Sequence, residues 1–109
     1  MKESEIKFKV NLDENHLPEN IEWSAGQSEK SESSRTKSIM LALWDEVENN
    51  TLRIDLWTKD MMVDEMKKFT CQNIITMADA FERSTGEKEA AGEIREFGKQ
   101  LAIKLGVLK

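Results

Sequence analysis

One cysteine, one proline, one histidine and no tyrosine stand in a chain of 109 residues, and each shortage removes a class of chemistry. The lone Cys71 has no partner for an internal disulfide, which suits a reducing compartment. It lies in an apolar-periodic stretch with no basic residue fixed beside it, so it reads as a small core residue and not as a reactive thiol. His16, flanked by Glu14 and Glu19, would need further His or Cys to make an ordinary zinc site. It is expected to be an exposed turn residue, and neither a metal nor a cofactor is expected. Gly26, Gly86, Gly98 and Gly106 are isolated, and none opens a phosphate-cradling GxGxxG or GxxxxGK[ST] loop. No GxSxG elbow accompanies any serine. No catalytic residue is assigned.

Apolar runs are short as well. None approaches the roughly 18 consecutive residues of a spanning helix. Met1–Val10 alternates charged and apolar residues, which predicts no signal peptide and no membrane span, and no glycine follows Met1 for myristoylation. A cytoplasmic protein is expected. Clustered positive charge is missing too: 16 Lys and Arg face 21 Asp and Glu, a net charge of −5. Displacing the counterions of a nucleic acid needs a cationic surplus, so no nucleic-acid partner is expected.

What is present is a soluble-domain composition, 39% hydrophobic and 34% charged, in a length that suits one domain spanning residues 1–109. Ile6, Phe8, Val10 and Leu12 share one parity while Lys7, Lys9 and Asn11 share the other, the signature of a strand with one wet face. After a turn-rich stretch holding Pro18, Ile21, Trp23 and Ala25 alternate with Glu22 and Ser24, predicting an antiparallel hairpin with a long connection. Residues 26–34 are polar throughout and predict a mobile surface loop. Ile39, Met40, Leu43, Trp44 and Val47 fit helical spacing, predicting a short helix over Thr36–Asp45 with Ser34 or Thr36 as its cap. Leu52, Ile54 and Leu56 then alternate with Arg53, Asp55 and Trp57 as a third strand.

Asp60 is placed to cap a long helix whose apolar face carries Met62, Met66, Phe69, Met77 and Phe81, with Gly86 at its stop. A last helix presents Ala90, Ile94, Phe97, Leu101, Leu105 and Leu108. The resulting expectation is an α+β fold in the order ββαβαα, a small antiparallel three-stranded sheet with helices packed on one face.

Two constellations bear on function. Trp57 has the outward parity relative to Leu52, Ile54 and Leu56, and the adjacent Met61 and Met62 cannot both point into one core stripe. Large, adaptable side chains of this kind suit a protein-binding surface, so Trp57, Met61 and Met62 are the candidate contact residues; burial under wrapping helices or against another subunit is the blander alternative. The acids Asp45, Glu46, Glu48, Asp55, Asp60 and Asp64 surround the third strand, and a convergent pair could serve a small-molecule-binding domain or a minor enzyme. No spacing forces them together. A third alternative is self-association through an exposed strand edge or patch, giving a homo-oligomer.

The run Asn50-Thr51-Leu52-Arg53-Ile54-Asp55-Leu56-Trp57-Thr58-Lys59-Asp60-Met61, followed by Val63-Asp64-Glu65-Met66-Lys67, resembles the gliding-motility-associated GldC family. Asp13-Glu14-Asn15-His16, Ile21-Glu22-Trp23, Leu43-Trp44-Asp45 and Thr76-Met77-Ala78-Asp79-Ala80-Phe81-Glu82-Arg83 extend the likeness over nearly the whole chain. Met62 departs from the family pattern, which has proline there; proline is tolerated in a first helical turn, so its absence leaves the fold expectation intact. The resemblance implies a small soluble cytoplasmic protein that assists the gliding machinery without catalysis of its own, through contact with a protein component of that machinery. It supplies no catalytic motif.

Overall fold

Parity and turn chemistry build the first half of the chain. The computed structural model describes residues 2–26 and 33–107. The chain divides into two compact units, one ending at Met61 and the other beginning at Met62. In the first unit β1 (Glu5–Leu12) pairs antiparallel with β2 (Pro18–Gly26), which pairs with the short β3 (Ser34–Thr36). The register sets Ile6 opposite Ala25, Phe8 opposite Trp23 and Val10 opposite Ile21, so one face of this sheet is apolar, as the alternation predicts. Ile21 is fully buried there. Pro18 is the first residue of its strand, a position that tolerates a missing N–H.

The β1–β2 connection closes on Asp13. Its carboxylate accepts the backbone N–H groups of Asn15 and Leu17 at 2.8 and 2.9 Å, the self-made turn that aspartate favours. His16 adopts a positive φ of 62° and is exposed, as expected.

Thr36–Asp45 is not a helix. Ser38–Asp45 forms β4, which pairs antiparallel with β5 (Asn50–Trp57) in a second, two-stranded sheet. The reason lies in the other parity. Met40, Ala42 and Trp44 are apolar like Ile39, Leu41 and Leu43, so the period of two is hidden, and a continuous apolar run fits either period. The single three-stranded sheet is corrected accordingly. There are two sheets of three and two strands, and the order is βββββαα. The turn between β4 and β5 uses Asn49 at φ 54° and the Asp45 carboxylate, which accepts Glu48 N–H at 2.7 Å. Among the residues expected to form a mobile loop, 27–32 lie outside the described residues.

The second unit is a helical hairpin, α1 (Val63–Thr85) and α2 (Lys88–Lys104). Met62, not Asp60, is the N-cap residue of α1, and Glu65 reaches back to accept the Met62 N–H at 3.0 Å. Gly86 ends α1 at φ 76°, a conformation that glycine reaches without a Cβ penalty. Small residues fill the seam: Cys71 and Ala78 on α1, and Ala91, Gly98 and Ala102 on α2, are buried. A Cβ on Gly98 would stand 2.7 Å from Ile75 Cγ1 and 3.2 Å from Ile74 Cγ2, so the glycine permits the close approach. Arg95 ties the two helices by donating from Nε to Asp79 at 2.9 Å and from its terminal nitrogen to Glu82 at 2.7 Å. Met77 and Phe97, expected on the core faces, are exposed. The final helix stops at Lys104, and Leu108, expected on its apolar face, lies outside the described residues.

Candidate functional site

Antiparallel pairing decides which side chains share a face of the β4–β5 hairpin. Ile39 opposes Leu56, Leu41 opposes Ile54 and Leu43 opposes Leu52, which collects six aliphatic side chains on one face. Leu43, Leu52 and Ile54 are each about half exposed. The opposite face carries Trp57 against Ser38, Asp55 against Met40, Arg53 against Ala42 and Thr51 against Trp44. Its two tryptophans stand at opposite ends, Trp44 67% and Trp57 56% exposed. Between them Arg53 donates to both oxygens of Asp55, at 3.1 and 2.8 Å. That pair raises the affinity of the guanidinium for its proton and holds the Asp55 carboxyl below its ordinary range.

Trp57 thus has the outward position that parity assigned it. Met61 is half-buried and donates its N–H to Thr58 O at 3.1 Å, closing the turn after β5. Met62 is exposed and opens α1 in the second unit.

A polar knot sits beside the hairpin. Thr58 is buried, donates its N–H to Lys37 O at 2.8 Å, and donates its hydroxyl to Asp60. That bond is the main cause lowering the pKa of Asp60, and it explains why Asp60 does not cap α1. The Lys59 ammonium pairs with the Asp13 carboxylate. The Asp13 carboxyl is held below its usual range by Lys59 first and by its turn N–H bonds next.

Two of the shallow hollows beside the knot share Thr58 in their linings. One, of about 260 Å³, lies among Leu17, Pro18, Leu56 and Trp57. The other, of about 300 Å³, is polar and sets Glu19 and Asp60 near Arg35 and Lys37. Of the acids singled out around β5, Asp45 serves its turn, Asp55 is bound to Arg53 and Asp60 to Thr58. Among the described residues no three of His, Cys, Asp and Glu are grouped as metal ligands would be.

Sequence reasoning missed the aliphatic face, although Ile39, Leu41 and Leu43 have the same parity spacing as Leu52, Ile54 and Leu56. It also missed Lys59 and Thr58 as anchors; no local pattern announces partners so distant along the chain.

A family model described as gliding motility-associated protein GldC-like matches residues 18–107. The chain belongs to that family. No curated protein and no solved structure matches it. The GldC-like segment contains β2 through α2, and with it both faces of the hairpin, Trp57, Met61 and Met62, whereas the Asp13–His16 turn precedes it. No helix among the described residues is long and apolar enough to cross a membrane.

Proposed function

We propose that this GldC-like chain is a non-enzymatic accessory protein of gliding motility, acting in the cytoplasm by binding a protein component of the motility apparatus. The observation that carries the reading is the β4–β5 hairpin with large apolar side chains exposed on both faces. A two-stranded sheet is marginal in water without an apolar cover, and contiguous exposed apolar surface marks interaction sites. Tryptophan and methionine side chains adapt readily to a partner surface, so Trp57 and Met61 are the anchors of the contact.

Replacing Trp57 and Met61 with glutamine should reduce recovery of the apparatus component in a pull-down while leaving the far-ultraviolet circular dichroism unchanged. Undiminished recovery would sink this surface. A second reading, a small-molecule-binding domain, draws on the polar hollow where Glu19 and Asp60 meet Arg35 and Lys37. Saturable shifts of backbone amides around that hollow on adding a metabolite, with partner recovery insensitive to Trp57, would favour it.

A further inference from the structure

The free edge of β1 carries a charge row that is complementary to itself. β1 lies at the edge of its sheet, in the order β1-β2-β3, and no strand among the described residues pairs with its outer side. Its backbone N–H and C=O groups on that side are therefore a template for another strand. Its apolar face is open as well: Ile6 is 67% exposed, and Phe8 and Leu12 are each near half.

On the opposite face of β1 stand Glu5, Lys7 and Lys9, and Glu3, just before the strand, continues the same parity in sequence. Lysines on an edge ordinarily keep strands apart. Here two acids precede two bases, which inverts the outcome for one arrangement. An antiparallel copy centred on Ile6 places Glu5 opposite Lys7 and Glu3 opposite Lys9, twice each by symmetry. Moving the centre to Lys7 sets that lysine against its own copy. Moving it to Phe8 sets Lys7 against Lys9. An in-register parallel copy stacks every charge on its like. Within the sheet, Glu5 and Lys7 face Gly26 and Ser24 of β2 and pair with each other along the strand at 3.3 Å, whereas Lys9 faces Glu22.

We propose that the chain forms a homodimer in which β1 pairs antiparallel with β1 of a second copy, Ile6 opposite Ile6, joining two three-stranded sheets into one of six. The two-fold symmetry makes the interface isologous. The apolar row continues across it, with Ile6 of each copy adjacent and Phe8 packing beside them. This surface is separate from the β4–β5 hairpin, so the dimer and the partner contact stand or fall independently.

Light scattering on the whole chain should give twice its 12.6 kDa mass at micromolar concentration. Lys7→Glu with Lys9→Glu makes the row entirely acidic, and Glu3→Lys with Glu5→Lys makes it entirely basic. Each double variant alone should dimerise at least roughly a hundred-fold more weakly, because four attractive cross-strand pairs become repulsive. Mixed in equal amounts, the two should recover the dimer as a heterodimer, which also establishes that both are folded.

Register is tested by cysteine. In a Cys71→Ala background, Ile6→Cys places two thiols directly opposite, within disulfide reach. Phe8→Cys leaves its thiols about 14 Å apart along the strands. Oxidation should cross-link the first and not the second. A monomeric parent chain, a dimer indifferent to the charge changes, or equal cross-linking at both positions would overturn the proposal.

Discussion

Lys59, two residues beyond the end of β5, is ion-paired with Asp13 in the connection between β1 and β2. The bond joins the three-stranded sheet to the segment leaving the two-stranded one. Asp13 is already committed to the N–H groups of Asn15 and Leu17, so one carboxylate holds a turn and a distant lysine together.

The pH dependence follows from the direction of the shift. A carboxyl whose folded pKa lies below its unfolded value binds more protons in the unfolded state, so its stabilisation is complete above the unfolded pKa and is lost as pH falls through the folded one. The Asp13 and Asp60 carboxyls are both shifted downward. Their contribution should therefore be whole at neutral pH and fade only below about pH 4. Carboxyl-detected NMR titration should show both midpoints below those of ordinary aspartates. Asp13→Ala, which removes the acceptor oxygens, should speed amide exchange at Asn15 and Leu17, and exchange unchanged from the parent would contradict the assignment.

Ile21 and Ile54 offer a paired test of where the first unit keeps its core. Ile21 is fully buried, whereas Ile54 is 49% exposed. Ile21→Ala should cost about 2–5 kcal/mol in urea unfolding, the usual range for emptying a core site. Ile54→Ala should cost less than about 1.5 kcal/mol, since much of its side chain is already in contact with water. Equal losses would mean that the hairpin face is buried in solution.

Two glycines of α2 should respond with opposite sign. Nothing lies within 4 Å of a Cβ built on Gly92, so Gly92→Ala should stabilise the chain by about 0.5–1 kcal/mol through helix propensity alone. At Gly98 the same methyl meets Ile75 at 2.7 Å. Gly98→Ala gains the same propensity but must displace a packed side chain, and a net loss of about 1–2 kcal/mol is expected. Denaturant midpoints measure both, and stabilisation at Gly98 would refute the close helix approach.

Legibility from sequence tracked how local each cause was. The parity of Ile6 to Leu12 announced β1 because its other face is charged or polar. Gly86 announced the end of α1 because the stop requires a left-handed residue. The parity of Trp57 gave its side of β5. By contrast, the run from Ile39 to Trp44 is apolar on both parities, so β4 imitated a helix; only pairing with Leu52, Ile54 and Leu56 reveals it. Asp60 looked like a helix cap because Thr58, which takes its carboxylate, is an unremarkable neighbour in the sequence. Helical periodicity selected the large residues of α1 and α2, whereas the seam between them is made by Cys71, Ala78, Ala91, Gly98 and Ala102, whose role depends on the facing helix.

Lys37 is the only residue between β3 and β4, and its carbonyl is fastened to the Thr58 N–H just past β5. The chain therefore changes sheets with no slack. A displacement of the β4–β5 hairpin would meet resistance at two short ties, the Lys37 peptide leading to β3 and the Lys59–Asp13 pair leading to the β1–β2 connection.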